Sequence, residues 1–116
     1  MTGDLYNLEV NTQREPDATI VSLSGEVDLR TSPKLRSTFL ELLDEKPARI
    51  VVNLADVKYV DSSGVGTIVE LNRRALKADS KVVLVGLQQR VRSLFEITQL
   101  DKFFTITDSI DEARQI

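Results

Sequence analysis

RIVVNL at Arg49–Leu54 and DSSGVG at Asp61–Gly66, joined by ADVKYV, decide how this chain folds. The first is a short apolar run rich in β-branched residues, the composition of a strand covered on both faces, as in a parallel sheet. After the second comes a long helical pattern. Val65, Ile68, Val69, Asn72 and Leu76 share one face, apolar apart from Asn72, and Glu70, Arg73, Arg74 and Lys77 lie on the polar side. Glu70 and Arg74 stand at i,i+4, a pairing worth about 0.3 kcal/mol. Strand, tight turn and amphipathic helix in that order predict one unit of an α/β fold.

Working outward, KVVLV (Lys81–Val85) is a second buried strand, closed by Gly86. Val91, Leu94, Phe95 and Thr98 recur at helical spacing, Phe104 to Ile106 form a short strand, and Asp108 or Ser109 caps a last helix. Towards the N-terminus, Pro47 ends a helix near Lys46. That helix begins with a Thr31 or Ser32 cap and Pro33, and carries Leu35, Phe39, Leu42 and Leu43 on one face. Before it, Tyr6, Leu8 and Val10 alternate with Asn7 and Glu9, and TIVSLS (Thr19–Ser24) ends at Gly25. With NTQREPD (Asn11–Asp17) between them as a turn, these read as a hairpin. The order is β-β-α-β-α-β-α-β-α, a mixed sheet with parallel central strands and helices packed against it. The 116 residues, with no repeat or linker, predict a single domain over 1–116.

Composition removes whole classes of chemistry. The chain has no cysteine and no histidine, so disulfides, thiolates and the usual neutral-pH base and metal ligand are absent. A net charge of −3 gives no basic footprint for nucleic acid. The opening MTGDLYNLEV lacks the basic and apolar regions of a signal peptide, and no run reaches the roughly 18 apolar residues of a membrane span. The expected location is the cytoplasm.

DSSGVG is unusual for its place. Asp61, Ser62 and Ser63 are all good N-cap residues, but Gly64 and Gly66 near the helix start each cost about 1 kcal/mol against alanine. Glycine lets another molecule approach the backbone, and a helix N-terminus presents unpaired N–H groups and a positive dipole end that favour phosphate. A cap with tight strand-to-helix packing and a site of phosphate binding or attachment both fit. The G-x-S-x-G elbow, the Walker A loop and the dinucleotide G-x-G-x-x-G are absent, and no histidine is present to activate a serine.

VDSSGVG, with IVVNL and ADVKY before it, resembles the core signature of the anti-sigma factor antagonists, a family of STAS domains. GEVDLRTSP (Gly25–Pro33) resembles the family's first block, and LFEITQLDKFF and ITDSIDEA resemble its C-terminal part, so the likeness spans nearly the whole chain. It implies a partner switch. The unphosphorylated protein binds an anti-sigma factor that is also a serine kinase, which frees the sigma factor. The kinase phosphorylates the serine after the aspartate, here Ser62, and a PP2C-type phosphatase reverses the mark. Asp28 is implied beside the switch serine, and the implied contact set is Asp28, Asp61, Ser62, Ser63, Gly64, Val65 and Gly66. No cofactor, metal, membrane or direct nucleic-acid contact is implied, and the protein is a kinase substrate rather than an enzyme.

The alternatives are a partner-switching regulator of a non-sigma target and a module binding a nucleotide or phosphorylated ligand. Several residues also have plainer roles. Ser63 is a capping residue and second phosphosite candidate, Asp28 can start the turn before the first helix, and Val65 and Ile68 fit the buried stripe. Arg73, Arg74 and Lys77 read as a solvated helix face, as do Gln89, Arg90 and Arg92. Asp108, Asp111 and Glu112 complement a helix dipole.

Overall fold

The computed structural model describes residues 8–116. Strands β1 (Leu8–Arg14), β2 (Thr19–Val27), β3 (Arg49–Val60), β4 (Lys81–Val85) and β5 (Thr105–Thr107) form one sheet in the spatial order β1-β2-β3-β4-β5. β1 and β2 are antiparallel and the other pairs parallel. The helices are α1 (Ser32–Asp44), α2 (Ser62–Lys77), α3 (Gln89–Ile97) and α4 (Ile110–Arg114). This is the expected α/β order, with an added 3-10 turn at Leu100–Lys102.

Each parallel crossover steps in the same direction across the sheet. Right-handed connections therefore bring α1, α2 and α3 to one face. Leu35, Phe39 and Leu42 of α1, Ile68, Leu71 and Ala75 of α2, and Val91 and Phe95 of α3 share one core with Val21, Leu23, Val52 and Leu84 of the sheet. The opposite face carries Ala18, Ile20, Val51, Val83 and Val85, covered by Ala113 and Ile110 of α4. That is why Ile50, Val51 and Val52 are all buried. Among the described residues no helix is long and apolar enough to cross a membrane.

Several boundaries differ from the sequence reading. Tyr6 lies outside the described residues. The segment read as the turn Asn11–Asp17 is strand as far as Arg14, which pairs with Thr19, and only the Glu15–Ala18 turn remains, closed by the Glu15 N–H to the Ala18 carbonyl at 2.8 Å. A strand at a sheet edge tolerates polar residues because one side faces water. β2 continues through Gly25 to Val27, and β3 continues past Leu54 to Val60. The buried stripe of α2 is Gly64, Thr67, Ile68, Leu71, Asn72 and Ala75, whereas Leu76 is 63% exposed. The helix is rotated so that Ile68 and Leu71, with the small Gly64, Thr67 and Ala75, meet the core and Leu76 does not.

The register of β2 on β3 positions the candidate site. Ser22 faces Asn53, but Ser24 faces Asp56 and Glu26 faces Tyr59, so β3 gains two residues through irregularities. Such bulges re-aim the chain without ending the sheet. Without them Val27 would face Lys58; with them it faces Val60, and the two strands end side by side.

Candidate functional site

Because Val27 and Val60 are paired, the next residues, Asp28 and Asp61, leave the sheet at neighbouring points on its carboxyl edge. This is where open α/β sheets carry their sites. The Asp61 N–H donates to the Val27 carbonyl at 3.0 Å. Asp61 is the N-cap of α2: its Oδ1 accepts from the Gly64 N–H at 2.9 Å, and its Oδ2 accepts from the Leu29 N–H at 3.1 Å. One carboxylate thus caps α2 and ties it to the β2–α1 loop.

Asp28 is nearly buried and organises that loop. Its Oδ1 accepts from the Arg30 and Thr31 amides at 2.9 and 3.2 Å, and its Oδ2 accepts from Arg30 Nη2 at 3.1 Å. Burial pushes the Asp28 carboxyl up, but the Arg30 guanidinium and the Thr31 and Arg30 amides together outweigh it and leave the group below the usual carboxylate range. Thr31 occupies the N-cap position of α1, but its side chain serves this turn instead of capping a helix amide. Its hydroxyl accepts from the Asp28 N–H and donates to the Glu26 carbonyl, both at 2.9 Å. Asp28 is therefore a positioning residue for the loop, with its oxygens committed inward.

The loop presents Leu29 outward, 72% exposed. Sequence reasoning passed over this residue, since one apolar side chain in a polar turn leaves no periodic signal. Ser62 is exposed at the first position of α2, with no hydrogen-bond partner for its hydroxyl or amide among the described residues. Ser63 is half-buried and its carbonyl accepts from the Thr67 hydroxyl at 3.0 Å. Val65 is half-buried against the core.

The two glycines, alike in the sequence, separate in the structure. A Cβ on Gly64 would lie 2.5 Å from the Val27 carbonyl oxygen, 2.7 Å from Val27 Cγ1 and 2.9 Å from Val60 Cγ1. Gly64 is glycine because α2 starts directly on the paired strand ends. A Cβ on Gly66 would meet nothing within 4 Å. Nothing inside the described domain excludes a side chain there.

Comparison with known proteins agrees with this architecture. An anti-sigma-B factor antagonist of Staphylococcus epidermidis is 30% identical over 105 residues, covering 90% of this chain and 97% of that protein. The crystal structure of an anti-sigma factor antagonist from Mycobacterium paratuberculosis superposes with a TM-score of 0.85 at 23% identity, covering 93% of this chain and 92% of the other. The phosphorylated form of the Bacillus cell fate determinant SpoIIAA shares the fold at a TM-score of 0.72 and 18% identity, covering 92% and 97%. The sequence model of the STAS domain matches residues 9–113, from the edge strand to the buried Ala113 of the last helix, and this chain therefore belongs to the STAS domain family.

Proposed function

We propose that this protein is an anti-sigma factor antagonist that binds an anti-sigma factor serine kinase while Ser62 is unmodified, so releasing the sigma factor. The carrying observation is Gly66, whose side-chain position is open although glycine there costs about 1 kcal/mol of helix stability. A partner that packs onto the helix backbone one turn after Ser62 accounts for it. The antagonist names of the relatives support the same reading.

In the transfer step the Ser62 hydroxyl oxygen attacks the γ-phosphorus of the kinase's ATP, its proton goes to a base of the kinase, and ADP leaves. The new group carries about −1.5 to −2 charges. On the free protein, the open amide of Ser62 and the helix dipole stabilise it by about 1 kcal/mol. Inside a packed complex it must be desolvated next to Asp61. An unpartnered charge in an interface costs roughly 3–5 kcal/mol, a loss of affinity of about 100-fold or more. The modification thus breaks the complex without unfolding the domain, and a PP2C-type phosphatase restores it.

The test is capture from the native cell extract with Ser62→Ala and Ser62→Glu as baits, in the presence of ADP or ATP. The Ser62→Ala bait is expected to retain an ATPase that phosphorylates wild-type protein on Ser62, and Ser62→Glu to release it. Equal capture by both baits, or phosphate on another residue, overturns the reading.

A further inference from the structure

We propose that the partner-binding surface extends from Ser62 along the whole outward ridge of α2 to Arg73 and Lys77, and that the kinase meets this end with an acidic face. The inference rests on the antagonist reading above. At 100° per residue, Ser62, Gly66, Val69, Arg73, Leu76 and Lys77 fall on one side of the helix, opposite the buried Gly64, Thr67, Ile68, Leu71 and Ala75. The ridge is about 22 Å long at 1.5 Å per residue, comparable to the span of one side of a standard protein interface.

Its far end sets an exposed apolar side chain beside cations that are not paired among the described residues. Leu76 is 63% exposed and lies between Arg73 and Lys77. Neither cation has an acidic partner within 4.0 Å among the described residues. The neighbouring carboxylate, Glu70, is already taken. It accepts from Arg36 Nε at 2.8 Å and Nη2 at 3.0 Å, and from Arg74 Nε at 2.9 Å. Glu70, Arg73, Arg74 and Lys77 border a concavity of about 400 Å³ with three cations and one neutralised acid. On a chain of net charge −3, this local positive end calls for an acidic group opposite. A partner seated on the open backbone at Gly66 reaches it by continuing along the same ridge.

The experiment measures binding of the Ser62-phosphorylating kinase, recovered as above, to full-length Arg73→Glu/Lys77→Glu protein at about 50 and about 500 mM salt. The expected result is affinity weaker by about tenfold or more at low salt, a smaller deficit at high salt, and wild-type binding by Arg73→Lys/Lys77→Arg. Thermal melts of the Arg73→Lys/Lys77→Arg protein should match the wild type, and the charge-reversed protein should stay folded and melt only a few degrees lower, since acidic side chains in the last turn oppose the helix dipole while no ion pair among the described residues is lost. Wild-type binding by the charge-reversed protein, while Ser62→Glu still fails to bind, overturns the ridge proposal alone. The same holds if the wild-type protein self-associates by itself and charge reversal abolishes it, which makes the ridge a contact between copies. Absence of any Ser62 kinase removes the antagonist reading and this proposal with it.

Discussion

Replacing Gly64 by alanine would place a methyl carbon 2.5 Å from the Val27 carbonyl oxygen and within 3 Å of Val27 Cγ1 and Val60 Cγ1. The carbonyl cannot step aside freely, because it accepts the Asp61 N–H at 3.0 Å, and Asp61 caps the helix that would have to move. Overpacking against backbone costs about 1–3 kcal/mol, and alanine's better helix propensity returns at most about 1. A net loss of about 2 kcal/mol is expected, with a fall in Tm of about 8 °C for a domain of this size. Gly66→Ala is the internal control. With nothing within 4 Å, the methyl should stabilise the domain by about 1 kcal/mol and raise Tm by about 4 °C. Urea titrations followed by circular dichroism, with equal slopes confirming two-state behaviour, measure both. In the same Gly66→Ala protein, binding to the kinase should weaken by about tenfold or more, so stability and function move in opposite directions. A destabilised Gly66→Ala, or a neutral Gly64→Ala, would refute the division of labour between the two glycines.

Asp61→Ala removes both the helix cap and the tie to Leu29 and should cost about 2 kcal/mol in urea unfolding, whereas Asp61→Asn keeps a capping oxygen and should lose less; in both, the Leu29 amide should exchange faster with deuterium. Leu29→Ala should leave the melting temperature unchanged, since the side chain is 72% exposed, while titration calorimetry with the kinase shows about tenfold weaker binding. Glu70 is held down at about 2 by the Arg36 guanidinium and then by Arg74. Its folded value lies below its unfolded value of 4.5, so its contribution is complete above about pH 4.5 and fades as pH falls towards 2. The Tm difference between wild type and Glu70→Gln should therefore shrink across that window, and a constant difference would sink the assignment.

Much of the architecture was legible because it rests on periodicity. The β-branched runs at Ile50–Val52 and Val82–Val85 and the helical spacing of Leu35, Phe39 and Leu42 each reflect burial of one face or two. Element ends were less legible. Asn11 to Arg14 looked like a turn because polar residues dominate it, yet an edge strand needs only one covered side. β3 looked complete at Leu54 because its apolar run stops there, while backbone pairing with β2 carries it to Val60. Leu76 looked buried because it is apolar, but the face of α2 that packs on the core runs through Gly64, Ile68, Leu71 and Ala75 and leaves Leu76 63% exposed.

By itself the sequence determined the α/β order, the family likeness, and Asp61–Gly66 as the segment to examine, since these depend on local composition and spacing. Tertiary structure decided what each residue there does. Two added residues in β3 bring Val60 beside Val27, and only that pairing sets Asp61 against Leu29, crowds Gly64 and leaves Gly66 open. These contacts join residues more than thirty positions apart, and side-chain spacing along one chain carries no record of the register between two strands.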